Sequence, residues 1–445
     1  MHKLLSQIHN SLKDTYIIWM FIAISFSLIY IYLHFNSTDA YQVKSNEKII
    51  YYADNITEAH NKLIDDFNDT YKGQIKVVPI NLPFSQFSTN ERKELLARSL
   101  RSKSEKIDVF AIDIIWGQRF AKWAENLDKE FGKDFLDKII SPTKETCFYN
   151  DSLIAIPFVA DLGTLYYRDD ILRTLPDYND VIKEINNSIT WDRLIKLHKR
   201  LKNKSPFYLF PAEDYEGLIC SYFELVLNQN RNFFDTDSID LTRIESRKAL
   251  VQLYNMIYKY NLTPPIITGF TEFPCHDFYI KNDGVFLRSW PTFISDYEKL
   301  FKDSNSVKDY KRAPLPRFNN TETTAILGGW NLMLAKTSKN KNEAIIFMKF
   351  LLSRESQQYL FEQYGSLPVL SDVYYNDEHL PNKELLDYYL KQFKNAVNRP
   401  MLYDYTRISD IISYYIHKAL KNEISIDKAL QKSTEIINSK QVLFK

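Results

Sequence analysis

Apolar and polar residues follow two different periods in the chain after residue 47. The runs 48–53, 74–82 and 107–115 have the length and the apolar content of strands. Residues 56–71 and 90–103 lie between them and carry apolar side chains at helical spacing. The alternation of strands and helices predicts an open α/β sheet. The nearly all-apolar run 107–115 is typical of a strand covered on both faces.

The pattern predicts a second α/β unit further along the chain. Residues 152–172 alternate as strands do, with interruptions expected at Pro157 and Gly163. The later run AILGGWNLMLA is also a strand, and we expect it to break at the pair Gly328 and Gly329. Helical spacing is found at 191–202, 214–228, 243–260, 341–353, 355–364, 383–396 and in two segments after residue 403.

The segment GVFLRSWP at 284–291 is an apolar run that ends in a tryptophan and a proline. Pro291 ends the strand, which leaves Trp290 at the strand's end. Trp290 is either a core residue or an exposed ring on which a ligand stacks, and Trp330 allows the same two interpretations. If Trp290 only stacks on a ligand, Trp290→Ala should weaken binding and hardly change the stability of the ligand-free protein.

The amino-terminal residues predict a membrane anchor. Residues 15–33 carry no charge, and a helix of this length at about 1.5 Å per residue approaches the roughly 30 Å hydrocarbon core. Aromatic residues at both ends suit the two membrane interfaces, and Lys3 and Lys13 favour an inside amino terminus. The alternatives are a cleaved signal peptide, with T-D-A at 38–40 as a loose cleavage site, and a buried core helix. The predicted parts are a cytoplasmic tail at 1–14, an anchor or uncleaved signal at 15–35 and a linker at 36–47.

Composition narrows the classes of function. The chain has 57 basic and 56 acidic residues, so its charge predicts no nucleic-acid-binding surface. Its three cysteines and eight histidines lack the spacing of a metal site, and no glycine motif for nucleotides is present. We therefore expect no cofactor, metal or nucleic-acid partner. Whether two cysteines pair stays open.

Several polar and aromatic residues are candidates for a binding site. Asp113 and Trp116 follow the third strand, and ligands of open α/β sheets bind at the carboxyl ends of strands. Asp113 and Asp161 could also form the carboxylate pair of a glycosidase. Taken singly, Asp113 could cap a helix, Trp116 and Trp330 could be core residues, and Arg399 could form a surface ion pair. Together, carboxylates, a guanidinium and flat rings match the hydroxyls and C–H faces of a sugar.

The order of nine segments resembles the extracellular solute-binding proteins of ABC importers, in the trehalose/maltose-binding branch. The resemblance extends from Lys48 to about Ala429. Each segment alone is a weak signal, and their shared order makes the signal specific. The segments are IDVFAIDIIW (107–116), IPFVADLGTLYYRDDIL (156–172), TWDRL (190–194), DYEGLIC (214–220), GVFLRSWP (284–291), APLP (313–316), ILGGWNLMLAKTSKNKNEAIIFMKFL (326–351), SLPV (366–369) and NRPMLYDYTRISDII (398–412).

The resemblance implies roles for individual residues. Asp113 would accept sugar hydroxyls from the first lobe, and Asp161 would do so from near the hinge. Trp290 and Trp330 would be the stacking platforms. Arg399 would donate to hydroxyls. The remaining residues implied as ligand contacts are Trp116, the pair Gly328 and Gly329 for close backbone approach, and Glu58 and Arg92 from the first lobe.

Two positions depart from the family pattern. Val159 stands where relatives often carry a tyrosine, and Ser289 replaces the usual asparagine before Trp290. The identity of the sugar is therefore open. An apolar anchor also replaces the lipidated cysteine or cleaved signal of most relatives.

These observations predict a type II periplasmic-binding-protein fold, which is α/β with two lobes, hinge strands and an interlobe ligand cleft, preceded by one transmembrane helix. The expected lobes are 48–158 with 297–338, and 159–296 with 339–445. We expect a monomeric, non-enzymatic receptor that binds a disaccharide or maltooligosaccharide and delivers it to an ABC permease. It would be a single-pass membrane protein with its binding domain in the periplasm or outside the cell. The alternatives are an extracellular carbohydrate-degrading enzyme and a ligand-sensing subunit without transport.

Overall fold

The computed structural model describes most of the chain after residue 46. The described residues are 24–27, 47–84, 86–102, 107–141, 143–201, 206–236, 238–300, 309–375, 382–402 and 404–440. Contacts divide the chain into one unit of residues 1–48 and 71–76 and a second of residues 49–70 and 77–445. Of the first unit, the structure describes residues 24–27, 47–48 and 71–76.

Eight of the twelve strands in the described residues lie in runs that the sequence predicted, whereas the short strands at 148–149, 208–209, 310–313 and 396–397 were not predicted. The twelve strands are β1 Lys48–Asp54, β2 Ile75–Asn81, β3 Val109–Asp113, β4 Phe148–Tyr149, β5 Ser152–Leu153, β6 Ile156–Leu162, β7 Thr164–Arg168, β8 Tyr208–Leu209, β9 Phe286–Ser289, β10 Tyr310–Ala313, β11 Ala325–Leu334 and β12 Ala396–Val397.

Helices fill most of the sequence between these strands. They are α1 Glu58–Thr70, α2 Thr89–Ser102, α3 Gly117–Phe120, α4 Lys133–Leu136, α5 Asp169–Leu172, α6 Tyr178–Asn186, α7 Trp191–Arg200, α8 Glu216–Gln229, α9 Ile244–Tyr258, α10 Glu272–Lys281, α11 Phe293–Leu300, α12 Lys341–Leu351, α13 Arg354–Tyr364, α14 Ser371–Tyr375, α15 Lys383–Phe393, α16 Tyr405–Leu420 and α17 Ile426–Asn438. Short 3₁₀ helices lie at Ile114–Trp116, Ala121–Trp123, Thr143–Cys147 and Pro265–Gly269.

The larger sheet has the order β12-β11-β3-β1-β2, and β6 also pairs with β11. Every residue of β3 is buried, as its apolar sequence predicts for a central strand. β3 runs parallel to β1 and antiparallel to β11, so this sheet is mixed. The smaller sheet has the order β10-β7-β9-β8, with β7 antiparallel to β9 and β9 parallel to β8.

Two expected strand breaks are wrong. β6 continues through Pro157. The run is interrupted instead at residues 154–155, between β5 and β6, and at Gly163, where the chain leaves β6 of the larger sheet and enters β7 of the smaller one. β11 continues through Gly328 and Gly329. Its irregularity is a register shift against β6 that follows Trp330. Both strands retain their hydrogen-bonded neighbours, which outweigh the local preference of proline and glycine for a break.

The helices α12 and α13, which the sequence assigned to the second lobe, pack against a helix assigned to the first. α12 packs against α1. The ring centroids of Phe67 on α1 and Phe347 on α12 lie 5.0 Å apart, and those of Tyr52 and Phe347 lie 5.3 Å apart. α13 also packs on α1. Residues 339–364, assigned to the second lobe from sequence, therefore lie against a helix that follows the first strand. The boundaries of the lobes stay a prediction.

The predicted anchor at 15–35 lies outside the described residues except for 24–27, which are helical. Within the described ranges, no helix has both the length and the apolar character to cross a membrane.

Candidate functional site

A cavity of about 180 Å³ lies where strands of both sheets end. Its wall includes most of the residues that the sequence singled out. These are Asp113, Asp161, Trp290, Gly328, Gly329, Trp330 and Arg399.

Strand register brings these residues together. Trp330 of β11 pairs with Asp113 at the end of β3, while Gly328 pairs with Asp161 of β6 on the other side of β11. Trp290 directly follows β9, whose last residue Ser289 pairs with the first residue of β7. Because β6 and β7 are separated by one residue, Asp161 and Trp290 reach the same cavity from different sheets.

The two glycines are needed for close packing at this point. A Cβ atom on Gly328 would lie 2.9 Å from Cζ3 of Trp290 and 3.1 Å from Cβ of Asp161. Gly329 has φ of +130°, and a Cβ atom there would lie 2.4 Å from the carbonyl oxygen of Val159. Gly328 therefore lets the Trp290 ring lie close against the backbone of β11, and Gly329 lets β11 lie close to the backbone of β6.

Arg399 joins two buried carboxylates at the cavity. Its Nη2 donates to Asp113 Oδ1 at 2.9 Å, and its Nη1 donates to Glu216 Oε1 at 2.9 Å. Tyr405 Oη also donates to Glu216 at 2.7 Å. Burial opposes the charge of Arg399, but the carboxylates of Asp113 and Glu216 hold its pKa well above its usual value. The result is a guanidinium that two carboxylates fix at the wall of the cavity.

Asp161, in contrast to Arg399, lies near side chains of its own charge. Burial raises its pKa to about 7, and the negative charges of Asp113 and Asp296 add to this shift, while Arg288 and Arg399 oppose it. A carboxyl group in such a place is a strong acceptor for a polar ligand, or a proton donor when protonated.

Each cavity tryptophan is half-buried and has an arginine over its ring. Arg288 Cζ lies 4.1 Å from the ring centroid of Trp290, and Arg92 Cζ lies 4.3 Å from that of Trp330. Arg92 Cζ also lies 4.0 Å from the ring of Phe84, which lines the cavity. Aromatic rings therefore form flat parts of the cavity wall, and buried arginines pack against them.

Three residues predicted as ligand contacts do not line the cavity, and their contact with a ligand stays a prediction. Glu58 is exposed in the first turn of α1. Trp116 is 1% exposed and packs edge-on against Trp330, with centroids 5.7 Å apart, which is the core interpretation. Arg92 is 2% exposed and donates from Nη2 to Asp54 Oδ1 at 3.3 Å, behind Phe84 and Trp330. The alternative role of Asp113 as a cap also holds, since its Oδ1 accepts from Ile115 N at 3.1 Å.

Several cavity residues were missed from the sequence. Asp54 ends β1 just as Asp113 ends β3, so the rule that ligands bind at strand ends would have found it. Glu216 lies in the quoted segment DYEGLIC but gave no separate signal. Tyr364 and Asp296 reach the cavity from helices whose position no local pattern reveals.

The two residues that depart from the family pattern lie at or near the cavity. Val159 lines the cavity, and Ser289 hydrogen-bonds through Oγ to Nε2 of His276 at 2.7 Å.

The cysteines and metal ligands add no further site. Cys147, Cys220 and Cys275 are buried and unpaired, which answers the question of a disulfide. No group of three or more metal-ligating side chains occurs among the residues that the structure describes.

The chain has two mixed sheets with helices between their strands, and a cavity lined by acidic and aromatic residues lies at the strand ends. These features define a ligand-binding protein of the α/β class. More particularly, the chain belongs to the bacterial extracellular solute-binding protein family, whose family model matches residues 53–358.

Similar proteins agree with this family. A probable ABC transporter-binding protein of Deinococcus radiodurans is 25% identical over 349 residues, which cover 77% of this chain and 82% of the relative. The structure of maltose-bound T. maritima MalE3 has a TM-score of 0.78 and 27% identity, covering 88% of this chain and 99% of the other. A Thermotoga lettingae solute-binding protein bound with α-D-tagatose shares the fold, with a TM-score of 0.76, 21% identity and coverage of 88% and 99%. The predicted family is therefore confirmed.

Proposed function

We propose that this chain is the substrate-binding component of an ABC sugar importer and binds a disaccharide or maltooligosaccharide of the trehalose or maltose type. The observation that carries the proposal is one cavity in which two half-buried tryptophan rings accompany Asp113, Asp161 and the Arg399 guanidinium. Rings stack on the C–H faces of a sugar, while charged groups bind its hydroxyls. The similarity to maltose-bound T. maritima MalE3 supports the choice of sugar class.

The protein carries out no reaction in this proposal. Sugar binding shifts an equilibrium between an open and a closed arrangement of two lobes, and the permease recognises the closed form. The similarity to a probable ABC transporter-binding protein supports a permease as the partner. The protein acts as a monomer outside the cytoplasm, and residues 15–35 hold it at the membrane.

A thermal-shift screen tests the ligand. Maltose, maltotriose and trehalose should raise the melting midpoint, because a ligand at about 100 times its Kd stabilises the native state by about 2.7 kcal/mol. β-linked cellobiose and lactose serve as controls for the linkage. A set of shifts no larger for the α-linked sugars than for the β-linked ones contradicts the proposed ligand class.

A glycosidase is the second candidate, favoured by one observation. Asp161 has a pKa raised to about 7 and shares its cavity with Asp113, as an acid and its partner carboxylate do in such enzymes. Against this role, Asp113 is bound to Arg399. Prolonged incubation with maltose or trehalose separates the two candidates, since only an enzyme releases glucose.

Protease treatment of intact cells tests the location. A receptor held outside the cytoplasm should be cleaved in cells whose cytoplasmic proteins stay intact, after the outer membrane is made permeable where the cells have one. The size of the mature protein then distinguishes a retained anchor from a cleaved signal.

A further inference from the structure

Each of the two cavity tryptophans lies against a buried arginine that has its own acidic partner. Arg288 is 1% exposed, and its Nε and Nη2 donate to the two carboxylate oxygens of Glu224 at 3.0 and 2.7 Å. Arg92 is 2% exposed and pairs with Asp54. Arg288 and Glu224 belong to the smaller sheet and α8, whereas Arg92 and Asp54 belong to α2 and the larger sheet. The same arrangement therefore occurs twice in unrelated parts of the chain.

The arginines make fewer hydrogen bonds than they can. Nη1 of Arg288, and Nε and Nη1 of Arg92, are buried and have no hydrogen-bond partner within the described part of the chain. These N–H groups belong to guanidiniums whose Cζ atoms lie 4.1 and 4.3 Å from the tryptophan ring centroids. Part of what a hydrogen bond would supply therefore comes from the negative face of each ring. A tilt of either ring would remove this interaction from a buried cation, which is costly.

We propose that Arg288 and Arg92 are positioning residues, which hold the rings of Trp290 and Trp330 in the planes on which the sugar stacks. This inference rests on the proposed function for its ligand. A ring that is already fixed loses little freedom on binding, so the arginines raise affinity without contacting the sugar. Planar guanidiniums suit this role because they stack on a ring and bind a carboxylate at the same time.

A double-mutant cycle tests the pair Arg288 and Trp290. Arg288→Met combined with Glu224→Gln removes the cation without leaving a buried carboxylate unpaired. We expect sugar affinity, measured by calorimetry, to fall about tenfold when Trp290 is present. In a Trp290→Ala background the same change should alter affinity less than twofold, because the arginine acts through the ring. An equal loss in both backgrounds, or no loss in either, overturns the proposal.

A matched control exists away from the cavity. Arg243 Cζ lies 4.2 Å from the ring of Phe233, and Arg243 pairs with Glu245. Arg243→Met with Glu245→Gln removes a similar arrangement and should leave sugar affinity unchanged. Arg92→Met, in the presence and absence of Trp330, repeats the cycle on the other ring, and Asp54 is kept because it lines the cavity itself.

A second measurement needs no ligand. The near-ultraviolet circular dichroism that is lost in Trp290→Phe reports the order of this ring in the sugar-free protein. Arg288→Met with Glu224→Gln should reduce this contribution, whereas the Arg243 control should not. If the contribution of Trp290 to the circular dichroism is unchanged, the proposal is overturned, whether or not a sugar binds. The absence of sugar binding would contradict the proposed function instead. If the double variant does not fold, Arg288→Lys, which keeps the charge and loses the planar face, is measured in its place with the same expectation.

Discussion

Trp290 belongs to the cavity and to the packed interior at once. Its ring lines the cavity, while Arg288 and the backbone of Gly328 pack against it. Tyr166 further fixes the chain here, because its Oη donates to the carbonyl oxygens of Trp290 and Pro291 at 3.0 and 3.1 Å. The two interpretations of Trp290, as a core residue and as a ring that lines the binding cavity, therefore both apply.

Trp290→Ala should weaken both binding and folding. We expect a loss of about 1–3 kcal/mol in sugar affinity, as for other central aromatic truncations. We also expect a loss of about 1–3 kcal/mol in the free energy of unfolding, because Arg288 loses the ring against which it is buried. The sequence alone predicted almost no change in stability. Calorimetric titration and urea unfolding measure the two quantities.

Trp123→Ala is the control for this variant. Trp123 is also half-buried, has Lys122 Nζ at 4.3 Å from its ring centroid, and does not line the cavity. Its removal should lower stability and leave affinity unchanged. A Trp290→Ala protein that unfolds at the wild-type urea concentration would show that the contact with Arg288 contributes nothing to the fold.

The raised pKa of Asp161 predicts a dependence of stability on pH. The unfolded carboxyl titrates near pH 4, and the folded one at about 7. Between these values the folded protein retains a proton that the unfolded chain has released, so the free energy of unfolding contributed by this group falls as pH rises. Asp161→Asn removes the effect. Its melting midpoint relative to wild type should rise from pH 4 to 7 and then stay constant.

Thermal unfolding of both proteins from pH 4 to 8 measures this difference. The exposed residue Asp134 provides a matched substitution, Asp134→Asn, which should show no such trend. A difference between wild type and Asp161→Asn that does not change with pH contradicts the prediction.

At the scale of elements, β11 determines the geometry of the cavity. It lies between β3 and β6 and aligns Trp330 with Asp113 and Gly328 with Asp161. The register against β6 shifts directly after Trp330, the last residue of β11 that lines the cavity. A strand with two neighbours and a fixed register places side chains more firmly than a loop would.

Gly329→Ala should disturb this strand. The backbone at φ +130° is unfavourable for alanine, and the new methyl group would collide with the carbonyl oxygen of Val159 on β6. We expect the free energy of unfolding to fall by about 2–4 kcal/mol in urea denaturation. Gly269→Ala is the control, because a Cβ atom there meets nothing within 4 Å. Equal stabilities of the two variants would contradict this interpretation of β11.

At the scale of the whole molecule, Arg399 connects segments that are far apart in sequence. Asp113 lies 286 residues before it, and Glu216 lies 183 residues before it. These carboxylates are 8% and 6% exposed, so their charges depend on the guanidinium rather than on water. Burial raises the pKa of Glu216 above its usual value even though Arg399 opposes the shift.

Arg399→Met should therefore cost far more stability than the loss of a surface ion pair. We expect about 3–5 kcal/mol in the free energy of unfolding, because two buried carboxylates lose their cation. The control is Arg193→Met, since Arg193 forms a bidentate pair with Glu184 at the surface and should contribute less than about 1 kcal/mol. Guanidinium chloride unfolding at pH 7 compares the two. Similar losses would show that the Arg399 network is no more than a surface pair.

Much of the fold followed from the sequence because its elements have strong periods. The βαβαβ order, the buried strand β3 and most helix bounds agree with the prediction to within a few residues. The errors include four short strands that no run predicted, and the breaks expected at Pro157 and at the glycine pair of β11, where pairing with neighbouring strands overrides local preference. For the cavity, strand-end position identified Asp113 and the family resemblance identified Asp161, but neither could show that Trp116 turns into the core and Trp330 into the cavity.

The sequence by itself determined the family, the α/β class and the residue types available for binding a sugar, because local periods and the order of segments are properties of a single chain. Tertiary structure alone decided which of those residues share the cavity and what lies behind each of them. Arg92 shows the reason. Its guanidinium sits between Asp54 and the ring of Trp330, which come from strands far apart in sequence, so its position depends on contacts that no short segment contains.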